Sequence, residues 1–309
     1  MTPIPRLRPL TGALLALALI VFGAPWSTSR VVSAQNQTLF LSITDASGEP
    51  VTDLTADELI VRWDDEDCET LALELINRPV RITVFIDNHG GGRVAHQDMR
   101  EGLKLFLDAI PEDVEVALAT LAGRPRFLVR HTADKEEIAR AIDLIVPDVG
   151  ATAFRDALVE EADRLNDDEE RQYLPVIVMI AGGDNPEGST SLQRAYDEMM
   201  QRMVDAQATV HTRMFMDSSR RGTTGQQVQV GVNVGERTGG TYESIAASTA
   251  FRTNLQELGR DIARRHRLTS NQYRLTYAPP DGAFNQPTMR IASSRSDITL
   301  LPTLDGNVR

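Results

Sequence analysis

The chain has 309 residues, 41% of them hydrophobic, with 32 basic against 44 acidic side chains and a formal charge of −12. An acidic balance of this size argues against nucleic acid and anionic membrane surfaces as partners, because both repel it. Cys68 is the single cysteine, so no internal disulfide can form and the fold must rely on an apolar core.

Arg6 and Arg8 open the chain, Leu10 to Phe22 is a nearly unbroken apolar run, and Val32-Ser33-Ala34 has the small-residue spacing of a cleavage site. Residues 1–34 are therefore expected to form a signal peptide. The run falls short of the roughly 20 residues that cross a bilayer, so no stable membrane insertion is expected after cleavage. The mature protein is expected to be secreted or periplasmic. Loss of Arg6, Arg8 and Arg30 with the leader leaves 29 basic against 44 acidic residues, a charge of −15 on Gln35 to Arg309.

Leu39 to Ile43 alternates apolar and polar, Asp45-Ala46-Ser47-Gly48 supplies turn chemistry, and Leu59 to Trp63 resumes the alternation before the acidic run Asp64 to Asp67. This predicts an N-terminal β segment over 35–80. The pattern changes at Arg81. Ile82 to Ile86 is a continuous β-rich run, Gly90-Gly91-Gly92 breaks it, and Met99, Leu103, Phe106, Leu107 and Ile110 follow at helical spacing. Val114 to Leu121 and Phe127 to His131 predict strands, and Ile138, Ala141, Ile142 and Ile145 a helix.

Thr152 sits where a helix N-cap belongs, ahead of Phe154, Ala157, Leu158, Glu161, Ala162 and Leu165, which draw one largely apolar stripe. Val176 to Ala181 is the most apolar strand. Leu192 to Ala206 predicts a helix, Thr209 to Met216 and Tyr242 to Ile245 strands, and Leu255 to Arg267 a closing helix. Ser218 to Glu236, rich in Gly, Gln and Thr, is a loop or a loop leading into a weak helix. Tyr273, Leu275 and Tyr277, then Met289 to Ala292 and Ile298 to Leu301, return to β character. The predicted fold is α/β: a doubly wound, mostly parallel sheet over 81–267 with helices on both faces. A small β-sandwich-like unit is expected from 35–80 packed with 268–309.

In such a sheet the ligand crevice lies outside the carboxyl ends of the strands. The residues there are Asp87 to Gly91, Thr152, and Gly182 to Asn185. At these positions, and along most of the mature chain, the sequence resembles the von Willebrand factor A-type domain and the bacterial secreted proteins related to it. Val51 to Arg62, with its Val-Thr-Asp-Leu-Thr-Ala-Asp-Glu-Leu, is similar to the family's N-terminal β segment, Gly150 to Leu158 to its threonine loop and helix, and Arg237 to Tyr242 and Gln272 to Pro279 to its last strand and C-terminal β start. The resemblance implies a metal-ion-dependent adhesion site with five ligand positions. Asp87 and Thr152 are kept, while His89, Gly91 and Gly182 replace two serines and an aspartate.

Magnesium wants oxygen ligands in near-octahedral geometry, and two glycines supply no side-chain oxygen, so the site is expected to be degenerate and no cofactor to be required. Asp184, two residues beyond the lost aspartate, could join Asp87 and Thr152 around a divalent cation, or join Asp87 and His89 around zinc. The plainer alternative has Asp87 capping loop amides, Thr152 capping its helix and His89 solvated.

The resemblance implies an exported, non-enzymatic adhesion-type module that binds an unidentified protein through His89, Arg93, Thr152, Asp184 and Asn185. A metal-dependent adhesion receptor with a rearranged cation site is the alternative. A hydrolase using Asp87 and His89 is a remote one, since no nucleophile elbow, zinc-hydrolase helix or phosphate loop occurs. The five histidines, 89, 96, 131, 211 and 266, have no metal-ligand spacing and are expected at the surface or at strand ends.

Overall fold

The computed structural model describes residues 36–63, 66–90, 93–168, 170–182, 185–216, 225–280 and 289–308, with backbone alone at 93 and 94. The leader, Asp64, Asp65, Gly91, Asp184 and the start of the 218–236 segment therefore lie outside the described residues.

Among the described residues, six strands and six helices follow the first β segments in chain order. β5 is Val80–Ile86, α1 Arg93–Ala109, β6 Val116–Thr120, β7 Arg126–Thr132 and α2 Lys135–Asp143. Then come α3 Phe154–Asp167, β8 Leu174–Gly182, α4 Gln193–Asp205, β9 Thr209–Phe215, α5 Gln226–Thr238, β10 Tyr242–Ile245 and α6 Ala250–Thr269. Their strands form one sheet in the order β10-β9-β8-β5-β6-β7. All neighbours are parallel except β7, which turns back antiparallel on β6.

Both faces of this sheet are covered, and alternation along its strands shows how. Val80, Ile82, Val84 and Ile86 of β5 and Leu174, Val176, Val178 and Ile180 of β8 pack with α1, α2 and α6. Phe85, Ile177, Met179 and Ala181 point the other way, into α3, α4 and α5. A strand buried on two sides needs an apolar residue at almost every position, which is why these two runs are continuous in the sequence.

Of the two expectations for 218–236, the described part favours the one with a helix: α5 spans Gln226–Thr238. Its valines, at 228, 230, 232 and 234, alternate as in a strand, yet Gly231 lets it settle on β9. A Cβ at Gly231 would stand 2.8 Å from Thr212 Cγ2. Close approach without a side chain stabilises the helix against the sheet where β-branched residues alone would not.

The chain ends build two further sheets. β1 (Gln37–Asp45), β4 (Glu69–Ile76), β11 (Gln272–Ala278) and β13 (Ile298–Thr303) make a four-stranded sheet in the order β13-β1-β11-β4. β2 (Leu59–Trp63), β3 (Glu66–Asp67) and β12 (Met289–Ser293) make the second. Leu39, Leu41 and Ile43 share one apolar cluster with Leu59, Val61, Tyr273, Leu275 and Tyr277. Inside it the Tyr273 hydroxyl accepts a hydrogen bond from Leu54 N at 3.0 Å.

Two expectations need correction. Thr152 does not cap α3: the N-cap position is Ala153, without a side-chain cap bond. The free Asp156 N–H bonds instead to Ser189 Oγ at 3.0 Å, so a neighbouring loop does the capping. Nor are the histidines all peripheral. His266 is buried on α6, where its Nδ1 accepts from Val80 N at 3.2 Å and its Nε2 meets Asp113 at 3.0 Å. His96 on α1 is buried as well.

Candidate functional site at the top of the sheet

β5 ends at Ile86, and its last backbone link to β8 passes from Asp87 N to Ile180 O at 2.7 Å. The chain therefore delivers Asp87 at the carboxyl edge of the two central strands. Its carboxylate is 1% exposed and is ringed by donors. Oδ1 accepts from His89 N at 2.9 Å. Oδ2 accepts from Thr152 Oγ1 at 2.9 Å, from Asn185 Nδ2 at 2.5 Å and from Gly182 N at 3.4 Å.

One carboxylate thus ties together the loops after β5 and β8 and the approach to α3. Hydrogen bonds to a buried ionised acceptor are about twice as strong as those between neutral groups, so the arrangement holds the loops in register. The main chain adds to it. Thr152 N donates to Pro186 O at 2.9 Å, and Gly188 N to Thr152 O at 2.8 Å. Asn185 O accepts from Gln227 Nε2 of α5 at 3.2 Å. Beside this, Asp156 accepts from Thr190 N and Ser191 N, both at 2.9 Å. Burial works to raise the Asp156 pKa, but these bonds outweigh it and hold the carboxyl below the usual range. Glu187 goes the other way, pushed up by burial against the bonds from Ser189.

Of the residues singled out in the sequence, Asp87, Thr152 and Asn185 meet at one point. Thr152 is fully buried and Asn185 is 8% exposed, so they hold loops rather than line a surface. His89 is partly buried, and its Nδ1 donates to Gly150 O at 2.7 Å. Its contact with Asp87 is through the backbone amide, so His89 and Asp87 do not pair imidazole to carboxylate. Arg93 begins α1, with its side chain outside the described residues, as is Asp184.

Among the described residues, the side chains around Asp87 do not fit a hard cation. Three of the four groups that donate to Asp87 do so through N–H, so the Thr152 hydroxyl alone among these donor atoms also has oxygen lone pairs, and a hard cation needs several oxygen ligands. Gly182 supplies no side-chain oxygen. A Cβ there would lie 2.7 Å from Asn185 Nδ2, so the carboxamide fills the space that a side chain at 182 would enter. Among the described residues no three His, Cys, Asp or Glu side chains gather as a metal site would require.

Sequence reasoning missed the loop at 144–151. Leu144, Val146 and Val149 are 65%, 56% and 86% exposed at the same edge of the sheet. Their backbone is anchored. Asn88 Nδ2 donates to Val146 O, Asp148 N to Asn88 O and Gly90 N to Asp148 O, each at 2.9 Å. Arg100 Nη1 adds a bond to Ile145 O at 3.2 Å. The signal was there in Leu-Ile-Val-Pro-Asp-Val, an apolar stretch too long for the short helix before it. A second opening, a cleft of about 230 Å³, lies beside Glu187 and is lined by Arg155, Gln193, Tyr196, Gln226 and Asn233.

Among the described residues no helix is long and apolar enough to cross a membrane. Residues 85–185, from the end of β5 to Asn185, match the family profile of the von Willebrand factor type A domain. No curated protein matches by sequence. Among solved structures, a von Willebrand factor type A protein from Catenulispora acidiphila superposes with a TM-score of 0.50 at 10% identity, over 87% of this chain and 72% of that one. The pilus adhesin SpaC from Lactobacillus rhamnosus GG, in its open conformation, gives 0.49 at 13% identity, over 79% of this chain and 47% of the adhesin. The conserved hypothetical protein BatB from Bacteroides thetaiotaomicron gives 0.44 at 15%, over 60% and 99%. The six-stranded sheet with its two helical layers has the fold of a von Willebrand factor type A domain, and residues 85–185 match that family's profile.

Proposed function

We propose that the chain is an exported, non-enzymatic, adhesion-type module that binds a protein partner through the loops at the carboxyl ends of its strands, without requiring a metal. The observation that carries this reading is the 144–151 loop. Three large apolar side chains stand in water while the backbone beneath them is pinned by Asn88 and Arg100. Exposed apolar groups gathered on a preorganised loop favour association, because little ordering entropy opposes the burial that a partner offers. Asp87, Thr152 and Asn185 support the neighbouring loops from below, and His89 lies at the rim.

The test compares the proteins retained by the purified chain, in EDTA, with those retained by Val149→Asp and by Leu301→Asp on β13. The expected result is a partner held by the wild type and by Leu301→Asp and lost by Val149→Asp, with all three folded. A partner that EDTA releases would instead favour the metal-dependent receptor. A partner that Val149→Asp still holds would move the contact face elsewhere.

A further inference from the structure

The von Willebrand factor A family implies a cation at Asp87, and the described residues around it do not fit one. We infer that the Asn185 carboxamide is the built-in substitute for that cation, and that Gly182 and Asn185 form one unit whose function is to saturate Asp87 and lock the upper loops permanently.

Three observations converge. Asn185 Nδ2 approaches Asp87 Oδ2 more closely than any other donor in the cluster, at 2.5 Å. Asn185 is held from two further sides: its amide nitrogen donates to Gly182 O at 3.2 Å, and its carbonyl accepts from the fully buried Gln227. Gly182 leaves room for the carboxamide, since a Cβ would come within 3.1 Å of Asn185 Cγ as well as 2.7 Å of Nδ2. A buried carboxylate must be balanced by charge or by hydrogen-bond donors. Here four neutral donors do so, one from each of His89, Thr152, Gly182 and Asn185.

The consequence is a face whose rigidity does not depend on divalent ions. This inference rests on the metal-free half of the reading above, yet it concerns the interior beneath the face, and a chain with no partner found would still melt as follows. The melting midpoint of the purified protein is measured in EDTA and in millimolar Mg²⁺, Mn²⁺ and Ca²⁺. The wild type is expected to melt at one temperature throughout. Asn185→Ala should melt lower in EDTA by about 2–6 °C, the loss of a hydrogen bond to a buried charge. Asn185→Asp, which sets a second carboxylate against Asp87, should also melt lower in EDTA and recover in Mn²⁺ or Ca²⁺. Three results would each overturn the inference: a cation-dependent rise in the wild type that Asp87→Asn abolishes, an Asn185→Ala midpoint equal to the wild type, or an Asn185→Asp midpoint that no cation moves.

Discussion

Strand β5 sends two polar groups toward the α3 side, Thr83 from its middle and Asp87 from its end, and the two are satisfied in opposite ways. At Asp87 one carboxylate is surrounded by neutral donors. At Thr83 the hydroxyl donates to Glu161 Oε1 at 2.7 Å and meets His131 Nε2 at 2.9 Å, while Arg164 closes on Glu161 Oε2 with Nε at 2.8 Å. Arg164 also lies over the Phe127 ring, 4.8 Å from its centroid. The lower cluster is thus an ion pair set against the apolar layer, and the upper one a carboxylate held by neutral donors. The difference follows from place. In mid-sheet only side chains can reach a buried acid, whereas at the strand ends loop amides are free to turn toward it.

The comparison can be broken most forcefully at the lower cluster. Arg164→Leu leaves Glu161, 3% exposed, without its cation. The expected loss is about 2–4 kcal/mol in urea unfolding, less than for a fully buried pair because the Arg164 side chain is 35% exposed. A loss below about 1 kcal/mol would mean that Thr83 and solvent satisfy the carboxylate alone.

The upper cluster should respond less, and cooperatively. Gly182→Ala forces Asn185 away from Asp87 and is expected to cost about 1–3 kcal/mol. Combined with Asn185→Ala it should cost less than the two single losses together, because the clash disappears with the carboxamide. Strict additivity in that double-mutant cycle would separate the two residues and weaken the comparison.

A third difference is expected from pH. Burial, reinforced by Arg81, Arg164 and Arg130, lowers the His131 pKa from 6.5 to about 3. Between those values the unfolded chain takes up a proton that the folded chain refuses, so stability falls as pH drops through this window and is unaffected above it. His131→Gln, which cannot titrate, should show a shallower loss of stability between pH 6.5 and pH 4, measured as the urea midpoint. An unchanged slope would place the acid sensitivity elsewhere.

Much of the fold was legible because two-sided burial writes continuous apolar runs, as in Ile82 to Ile86 and Val176 to Ala181. Strand β4 was not. Glu69-Thr-Leu-Ala-Leu-Glu-Leu-Ile76 is rich in good helix formers, and only pairing with β11 makes it a strand. Glu161 could have been flagged, being an acid on the apolar stripe of α3, but its partners Thr83 and His131 are far away in sequence. Asp87, Thr152 and Asn185 were each singled out as belonging to the strand-end crevice. That Asn185 turns its amide onto Asp87, and that Thr152 serves Asp87 instead of its own helix, were not.

The residue pattern by itself determined the alternation of strands and helices and the loops where Asp87, Thr152 and Asn185 fall, because those depend on local periodicity and chain connectivity. The tertiary structure decided what those residues do. Whether a carboxylate meets a cation or an amide depends on a few ångströms of space at Gly182 and on donors brought from loops up to 98 residues apart, and no local pattern encodes that distance.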